Sequence, residues 1–218
     1  MPDNPDITHT PRSISVTGTG SAEAVPDLLT LSIGVECRRE TVAGAYGDAG
    51  TRSSAITSAL RQHGIDSADI STSGLNVRAE VNWQEGRGQI VSGYLASSTL
   101  TIRICALSAS SEILAAAVGA GGDDVRLNGL SLGFADPTAV EARAREAAWQ
   151  DARTTAEHYA ALSGAGLGRV LSLTQHAGAQ VPVPVAKLQR VAAAESLTVE
   201  AGESSITALV GVVWELLG

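Results

Sequence analysis

The chain has 218 residues, enough for one large domain or two small ones around a buried core. It carries 15 basic and 23 acidic side chains, a formal net charge of −8, and only 17% of its residues are charged. The acidic balance argues against nucleic acid or an anionic membrane surface as the main partner. The longest apolar runs are too short for a transmembrane segment, which needs about 20 residues.

The N-terminal residues 1–12 are expected to form a disordered tail. They lack both the basic start and the apolar stretch of a signal peptide, so we predict a cytoplasmic protein. Export to the periplasm is the alternative if the N-terminus was trimmed. Two cysteines, Cys37 and Cys105, are too few for a disulfide framework in a chain of this length.

The first third of the chain predicts two strands and a helix. Ile14–Thr17 is expected to be a short strand that ends at a turn over Gly18–Gly20. Strict alternation from Leu29 to Cys37 predicts a second strand with one buried face. A helical period follows from Thr41 to His63, but it contains glycines at positions 44, 47 and 50. We expect these glycines to allow a close approach to a sheet or another subunit; a helix break near Gly50 is the alternative.

Two unusually long extended runs come next. Ile70–Trp83 and Ile90–Cys105 are joined by a polar loop with two glycines, a pattern that favours a β-hairpin. Fourteen residues of strand span about 46 Å, which equals the diameter of about 45 Å expected for a compact chain of this size. The hairpin should therefore cross the whole body, bend sharply or project beyond it. A projecting strand exposes an unpaired edge that can recruit a partner.

The second half predicts a helix, a strand, a long helix and two further strands. The long helix is expected to start at Asp136-Pro137 and to end at Ser163. Its inner face is predicted to carry Val140, Ala144, Ala147, Ala148, Ala152, Tyr159 and Leu162. A loop over 176–194 contains the proline-rich segment Val181–Val185, which should be extended without regular pairing.

The complete order is β-β-α-β-β-α-β-α-β-β. This order predicts an α+β fold, a largely antiparallel sheet or sheets with helices packed on one face. Residues 13–217 are expected to form a single domain of two fused α/β lobes, approximately 13–105 and 106–217. The C-terminal strand is a candidate to return to the first lobe.

The chain offers no recognisable catalytic, metal or cofactor motif. Its cysteines and histidines are scattered singly, without the short spacings of a metal site. No serine stands in a nucleophile elbow, and a fold would have to bring His63 or His158 to a carboxylate and a nucleophile. The registers of Cys37 and Cys105 place them on opposite faces, which argues against a redox pair. We therefore predict no enzyme, no metal and no cofactor.

Several blocks, taken in order, resemble the SIMPL-domain family, which includes bacterial periplasmic immunogenic proteins. They are Ile14–Gly20 followed by Pro26-Asp27, Asp69–Gly74, Gly93–Ser97, and Ala152–Ala156 leading into Gly164. The resemblance implies a mixed α/β domain, often envelope-associated, with roles in homo-oligomeric assembly and in protection against oxidative stress. It implies no catalytic residues. Many members carry a lysine where Thr155 stands here.

These observations favour a non-enzymatic protein that works by homo-oligomeric assembly through the hairpin over 70–105. We expect Trp83, Tyr94 and Ile90 to be interface residues, because exposed aromatic side chains near a hairpin tip are typical interface hot spots. The alternative function is a small-molecule or peptide binding module, with a site between the two lobes and the Val181–Val185 loop as a lid.

Overall fold

The computed structural model describes residues 12–176, 183–184 and 200–218. The expected tail therefore lies outside the described residues, apart from Arg12. The strands are β1 (Ser13–Ala24), β2 (Leu28–Arg39), β3 (Ile70–Gln84), β4 (Gly88–Ile104), β5 (Val125–Gly133), β6 (Gly166–His176), β7 (Val183–Pro184) and β8 (Ser204–Leu217). The helices are α1 (Val42–Gln62), α2 (Ser110–Gly121) and α3 (Thr138–Leu162). The predicted α+β fold and its order of elements are confirmed.

The chain divides into two compact units. One contains Val25–Ala135 and is built on an antiparallel sheet in the order β3-β4-β2-β5. Its core face carries the alternating apolar residues of β2 and β4, and α1 and α2 cover that face. Cys37 is fully buried there, as its place in the alternation predicted. The other face of these two strands is mostly polar, because every second residue of an antiparallel strand points away from the core.

The second unit contains β1, α3, β6, β7 and β8. Strand β8 lies between β1 and β6, and all of these pairings are antiparallel. Helix α3 packs on the sheet, where Trp149 lies against the ring of Trp214 with centroids 5.8 Å apart. Val16 and Val212, which are opposite each other in the register, complete this small core.

Helix α3 and strand β1 approach each other backbone to backbone. A Cβ atom at Gly18 would lie 2.1 Å from the carbonyl oxygen of Ala148, and one at Gly20 would lie 2.1 Å from the Ala148 amide nitrogen. Only glycine fits such a distance. The predicted turn at Gly18–Gly20 is therefore wrong: β1 continues to Ala24, and its glycines make room for a helix instead of reversing the chain.

The observed units differ from the predicted lobes, 13–105 and 106–217. The reason is strand pairing between distant parts of the chain. Strand β5, assigned to the second lobe by sequence, pairs with β2, and β8 pairs with β1 along its full length. The chain therefore enters the unit of Val25–Ala135 after β1 and leaves it before α3.

Two of the three glycines of α1 do not make the expected close approach to a sheet, and their approach to another subunit stays a prediction. Added Cβ atoms at Gly47 and Gly50 would meet nothing within 4 Å, and only Gly44 has near neighbours, in Thr41 and Arg39. The alternative is also wrong, because α1 is one continuous helix from Val42 to Gln62. Within this chain, nothing in the described residues explains why positions 47 and 50 are glycine.

Helix α3 begins as predicted, with the Asp136 carboxylate accepting a hydrogen bond from the Thr138 amide at 3.0 Å. Its inner face is narrower than predicted. The buried residues are Val140, Ala144, Ala148, Ala152, Ala156 and Ala160. Ala147, Tyr159 and Leu162 are exposed instead, because the backbone contact with β1 admits only small side chains at four-residue intervals.

The proline-rich segment is only partly described. Val183–Pro184 pairs with Ser204 and Ser205 of β8, so the expectation of no regular pairing is wrong for these two residues. The rest of the Val181–Val185 segment lies outside the described residues. None of the helices described is both long and apolar enough to cross a lipid bilayer.

The contact between β1 and α3 predicts a strong sensitivity to one added methyl group. We expect Gly18→Ala to destabilise the protein by about 1–3 kcal/mol, because the helix must move away from the strand to accommodate it. Chemical denaturation followed by circular dichroism measures the change in the free energy of unfolding.

The matched control is Gly47→Ala. This glycine lies in open space inside α1, so alanine should stabilise the helix by about 0.5–1 kcal/mol. Equal effects of the two substitutions would contradict the backbone contact described above.

Candidate assembly site

The hairpin of β3 and β4 extends past the end of the strand beside it. Strand β2 pairs with β4 only as far as the pair Arg39 and Tyr94. Beyond this point residues 80–84 pair with residues 88–93 and with no other described strand, in a section named here the tip ribbon. Six residues of β4 correspond to a projection of about 20 Å. The hairpin therefore projects beyond the strand beside it, and its projection beyond the whole body stays a prediction.

The turn of the hairpin is built for a tight reversal. Gly86 and Gly88 have positive φ angles of 80° and 76°, which other residues rarely adopt. The Arg87 amide donates to the Gln84 carbonyl at 3.1 Å and closes the turn. The tip ribbon is thus a well-defined structure, although a two-stranded ribbon is only marginally stable by itself in water.

One face of β3 is apolar, and towards the tip ribbon this face is exposed. The residues Leu75, Val77, Ala79, Val81 and Trp83 alternate with Asn76, Arg78, Glu80 and Asn82 along β3. The first set lies on the face that α1 and α2 cover further along the sheet, since Val77 is opposite the buried Ala96. Towards the tip this cover ends. Trp83 is 77% exposed, and Val81 and Val91, which are opposite each other, are each about half exposed.

The three residues proposed from sequence lie on the hairpin but not together. Trp83 is on the apolar face of the tip ribbon. Ile90 is opposite Asn82 and therefore on the other face, where it is 36% exposed. Tyr94 lies at the root of the hairpin, opposite Arg39, and packs against the core of its unit. Their role at an interface stays a prediction.

The polar face of the ribbon forms an open groove of about 630 Å³ where the hairpin leaves the sheet. The polar side chains that line it are Arg38, Arg78, Glu80, Asn82 and Ser92. The Arg38 guanidinium donates two hydrogen bonds to the Glu80 carboxylate, one of them 2.7 Å long. These bonds hold the pKa of Glu80 below its usual range, and the charges of Arg38 and Arg78 act in the same direction. The groove is thus lined by two positively charged side chains and one negatively charged side chain.

The cysteines are far apart. Cys37 lies opposite Ala96 on β4, whereas Cys105 follows the last residue of that strand and is exposed. Nine residues of extended chain separate those two points, a distance of about 30 Å. Burial raises the pKa of the Cys37 thiol, and the Asp124 carboxylate raises it further, so little reactive thiolate forms at neutral pH.

The candidate histidines show no catalytic arrangement. The Nδ1 atom of His63 is 3.9 Å from the Glu112 carboxylate, which is itself 76% exposed in its side chain. His158 lies on α3 with its ring near Tyr159, at a centroid distance of 6.1 Å. Within the described ranges, no three metal-binding side chains cluster.

Sequence reasoning missed three contributors to this site, namely Leu75, Val81 and the ion pair of Arg38 with Glu80. The signal for the first two was present, because the period-two alternation over 75–83 is strict. The ion pair could not be found in the same way. It joins residues 42 positions apart, and their proximity depends on the register of two strand pairings.

A family model described as SIMPL, protein of unknown function (DUF541), matches residues 14–214. The 26 kDa periplasmic immunogenic protein of Brucella melitensis biotype 1 is 30% identical over an alignment of 223 residues including gaps, and the alignment covers 96% of this chain and 87% of that protein. The uncharacterized protein YggE of Escherichia coli (strain K12) is 31% identical over 194 residues, which cover 89% and 75%. Neither name denotes an enzyme.

These similarities correct one prediction. The Brucella relatives are named periplasmic proteins, which points to export, so the predicted cytoplasmic location is wrong.

The ion pair at the groove predicts a measurable titration. Because Arg38 stabilises the charged form of Glu80, its stabilising effect is complete above the usual range of a glutamate pKa and is lost as the pH falls through the lowered pKa. We expect Arg38→Met to raise the pKa of Glu80 towards the usual range. Carboxyl-detected NMR over an acid titration measures it, with Arg61→Met on α1 as a control that should change nothing.

Proposed function

The chain belongs to the SIMPL family, and we propose that it is a non-enzymatic protein that works by assembling with copies of itself through the projecting hairpin. The observation that carries this proposal is the tip ribbon. It exposes Trp83, Val81 and Val91 on one face, and it consists of two strands only, because β2 does not extend beside it. Exposed apolar side chains that lie together are typical of protein interfaces.

Assembly would complete the structure of the ribbon. A neighbouring chain bound to the hairpin shields the Trp83 ring from water, and large aromatic side chains contribute strongly to interfaces when they are desolvated. The same contact supports a two-stranded segment that otherwise has limited stability. Both effects act at the same place, which is why we assign the interface to the hairpin and not to another surface.

We further propose that this assembly is located in the periplasm or is associated with the cell envelope. The supporting observation is the similarity to the 26 kDa periplasmic immunogenic proteins over nearly the whole chain. The resemblance also implies protection against oxidative stress. Within this proposal such protection would come from the assembled structure and not from thiol chemistry, since Cys37 is buried with a raised pKa and lies far from Cys105.

The proposal predicts a mass in solution that is a multiple of the 22.2 kDa chain. Light scattering at micromolar concentration measures it. Trp83→Ser should shift the distribution towards the monomer, because it removes the most exposed large side chain of the tip ribbon. Acrylamide quenching of the tryptophan fluorescence should increase on dilution of the wild type but not of Trp83→Ser, because Trp83 returns to water whereas Trp149 and Trp214 stay in their core.

The control variant is Tyr159→Ser. This aromatic residue is also more than half exposed, but it lies on α3, outside the hairpin. It should leave the mass unchanged. A monomeric wild-type chain at these concentrations would refute the assembly function.

A further inference from the structure

Strand β3 is a long sheet edge that the described part of the chain leaves uncovered. Among the described strands, the outer edges of β1, β5 and β6 are each interrupted, by bound side chains or by irregular pairing. On β1 the Thr19 amide donates to the Asp151 carboxylate at 2.9 Å, and Arg143 donates to the Glu23 carbonyl at 3.1 Å. Such side chains occupy the groups that a further strand would need.

Irregular pairing disrupts the edges of β5 and β6. The register of β5 shifts beside Ser32, and that of β6 shifts twice between Leu167 and Ser172. Bulges of this kind interrupt the regular row of hydrogen-bonding groups along an edge. By contrast, the extra residue within β3 itself lies between Thr72 and Gly74. At the later shift, near Glu80, the extra residue belongs to β4 and is Ser92. Residues 74–84 therefore form an unbroken edge.

The free backbone groups of this edge can be assigned. The Ser92 hydroxyl donates to the Glu80 carbonyl at 3.2 Å, so the Glu80 carbonyl faces β4. Successive residues of a strand direct their backbone groups to opposite sides, so the amide and carbonyl of Ala79 face away from β4. Ala79 is the midpoint of 74–84, with five residues on each side.

We propose that two copies of the chain pair through β3, antiparallel, about a two-fold axis at Ala79. This inference rests on the proposed assembly and specifies its contact. In this register Ala79 faces Ala79 of the partner subunit, and two hydrogen bonds join them around the axis. The further pairs are Leu75 with the partner's Trp83, Val77 with the partner's Val81, Asn76 with the partner's Asn82, and Arg78 with the partner's Glu80.

The pairing is complementary on both faces. On one face, Leu75 and Trp83 are among the most exposed apolar side chains of the hairpin, and each covers the other across the axis. On the other face, Arg78 has no ion pair with another described residue and meets the partner's Glu80, where it adds a second cation beside the arginine that already holds that carboxylate. Because the interface is two-fold symmetric, the charge pair occurs twice, and opposite charges directly across a strand pair are favourable.

The charges also select this register over its neighbours. An axis at Arg78 would place two arginines opposite each other, and an axis at Glu80 would place two glutamates opposite each other, both unfavourable. An axis between two residues would set the apolar side chains of one copy opposite the polar ones of the other. Among these alternatives only the axis at Ala79 satisfies both the alternation and the charge.

Disulfide trapping tests the register. In a Cys105→Ser background, which removes the exposed thiol, Ala79→Cys should form a disulfide-linked dimer when oxidised glutathione is added. Directly opposite residues have Cα atoms about 5.5 Å apart, within the range of a disulfide. Non-reducing electrophoresis measures the linked fraction, and we expect most of the chains to be linked.

Matched positions on the same strand serve as controls. Val77→Cys and Val81→Cys should each fail to link to themselves, since equivalent positions are about 14 Å apart, four residues along the pair. A mixture of the two variants should link, because position 77 of one copy faces position 81 of the other. Efficient self-linking at Val81→Cys would overturn the register.

Charge reversal tests the proposed pairing independently of disulfide formation. Arg78→Glu should weaken dimerisation, measured by light scattering over a dilution series, by about tenfold or more, because it places like charges opposite each other twice. The matched control is Arg87→Glu, which makes the same change of charge in the turn of the hairpin, outside 74–84, and should weaken dimerisation by no more than a few-fold. Equal weakening by the two variants overturns the proposed charge pairing.

The combined results distinguish a wrong β3 register from a wrong assembly function. A chain that assembles by light scattering but whose Ala79→Cys variant does not link overturns the β3 register and leaves the assembly function intact. A chain that is monomeric and does not link overturns both, and would leave the edge to a strand of another protein.

Discussion

The arrangement of the hairpin follows from one constraint, the unequal length of the strands beside β4. This central strand has neighbours on both sides from Tyr94 onwards and only one neighbour before it. The apolar alternation of β3 nevertheless continues through Trp83, beyond the part of the sheet that the helices cover. The described residues leave this continuation of the apolar face uncovered, and an exposed apolar patch of this kind is typical of a surface that binds another molecule.

In the second unit, by contrast, a helix covers both the sheet and the edge of β1. Its central contact joins the glycines of β1 to the backbone of α3 around Ala148, and small residues at four-residue intervals keep the two elements in contact. Here the edge of β1 is occupied by Asp151 and Arg143 from the same helix. One helix therefore both covers the sheet and blocks its edge, whereas β3 has no described element in that role.

Local patterns predicted the elements well and their partners poorly. The alternation of β2, the aspartate-proline start of α3 and the glycine-rich turn of the hairpin all depend on nearby residues, and each was correct. The turn at Gly18–Gly20 was wrong because glycine serves two purposes, chain reversal and close approach, and only the position of α3 distinguishes them. The site was predicted in part: the projecting hairpin was recognised, but the ion pair between Arg38 and Glu80 depends on two registers that no local pattern determines.

Charge supports the assignment of the interface to the hairpin. The whole chain has a net charge of −8, so copies repel one another over most of their surface. Residues 70–104 carry three arginines and two glutamates, a net charge of +1, and thus form a long segment without that repulsion. At physiological ionic strength screening limits such effects to about 8 Å, so the charge near the contact decides whether two chains can approach. An acidic protein can thus stay dispersed through the repulsion of its other surfaces and still associate through a hairpin that is nearly neutral and partly apolar.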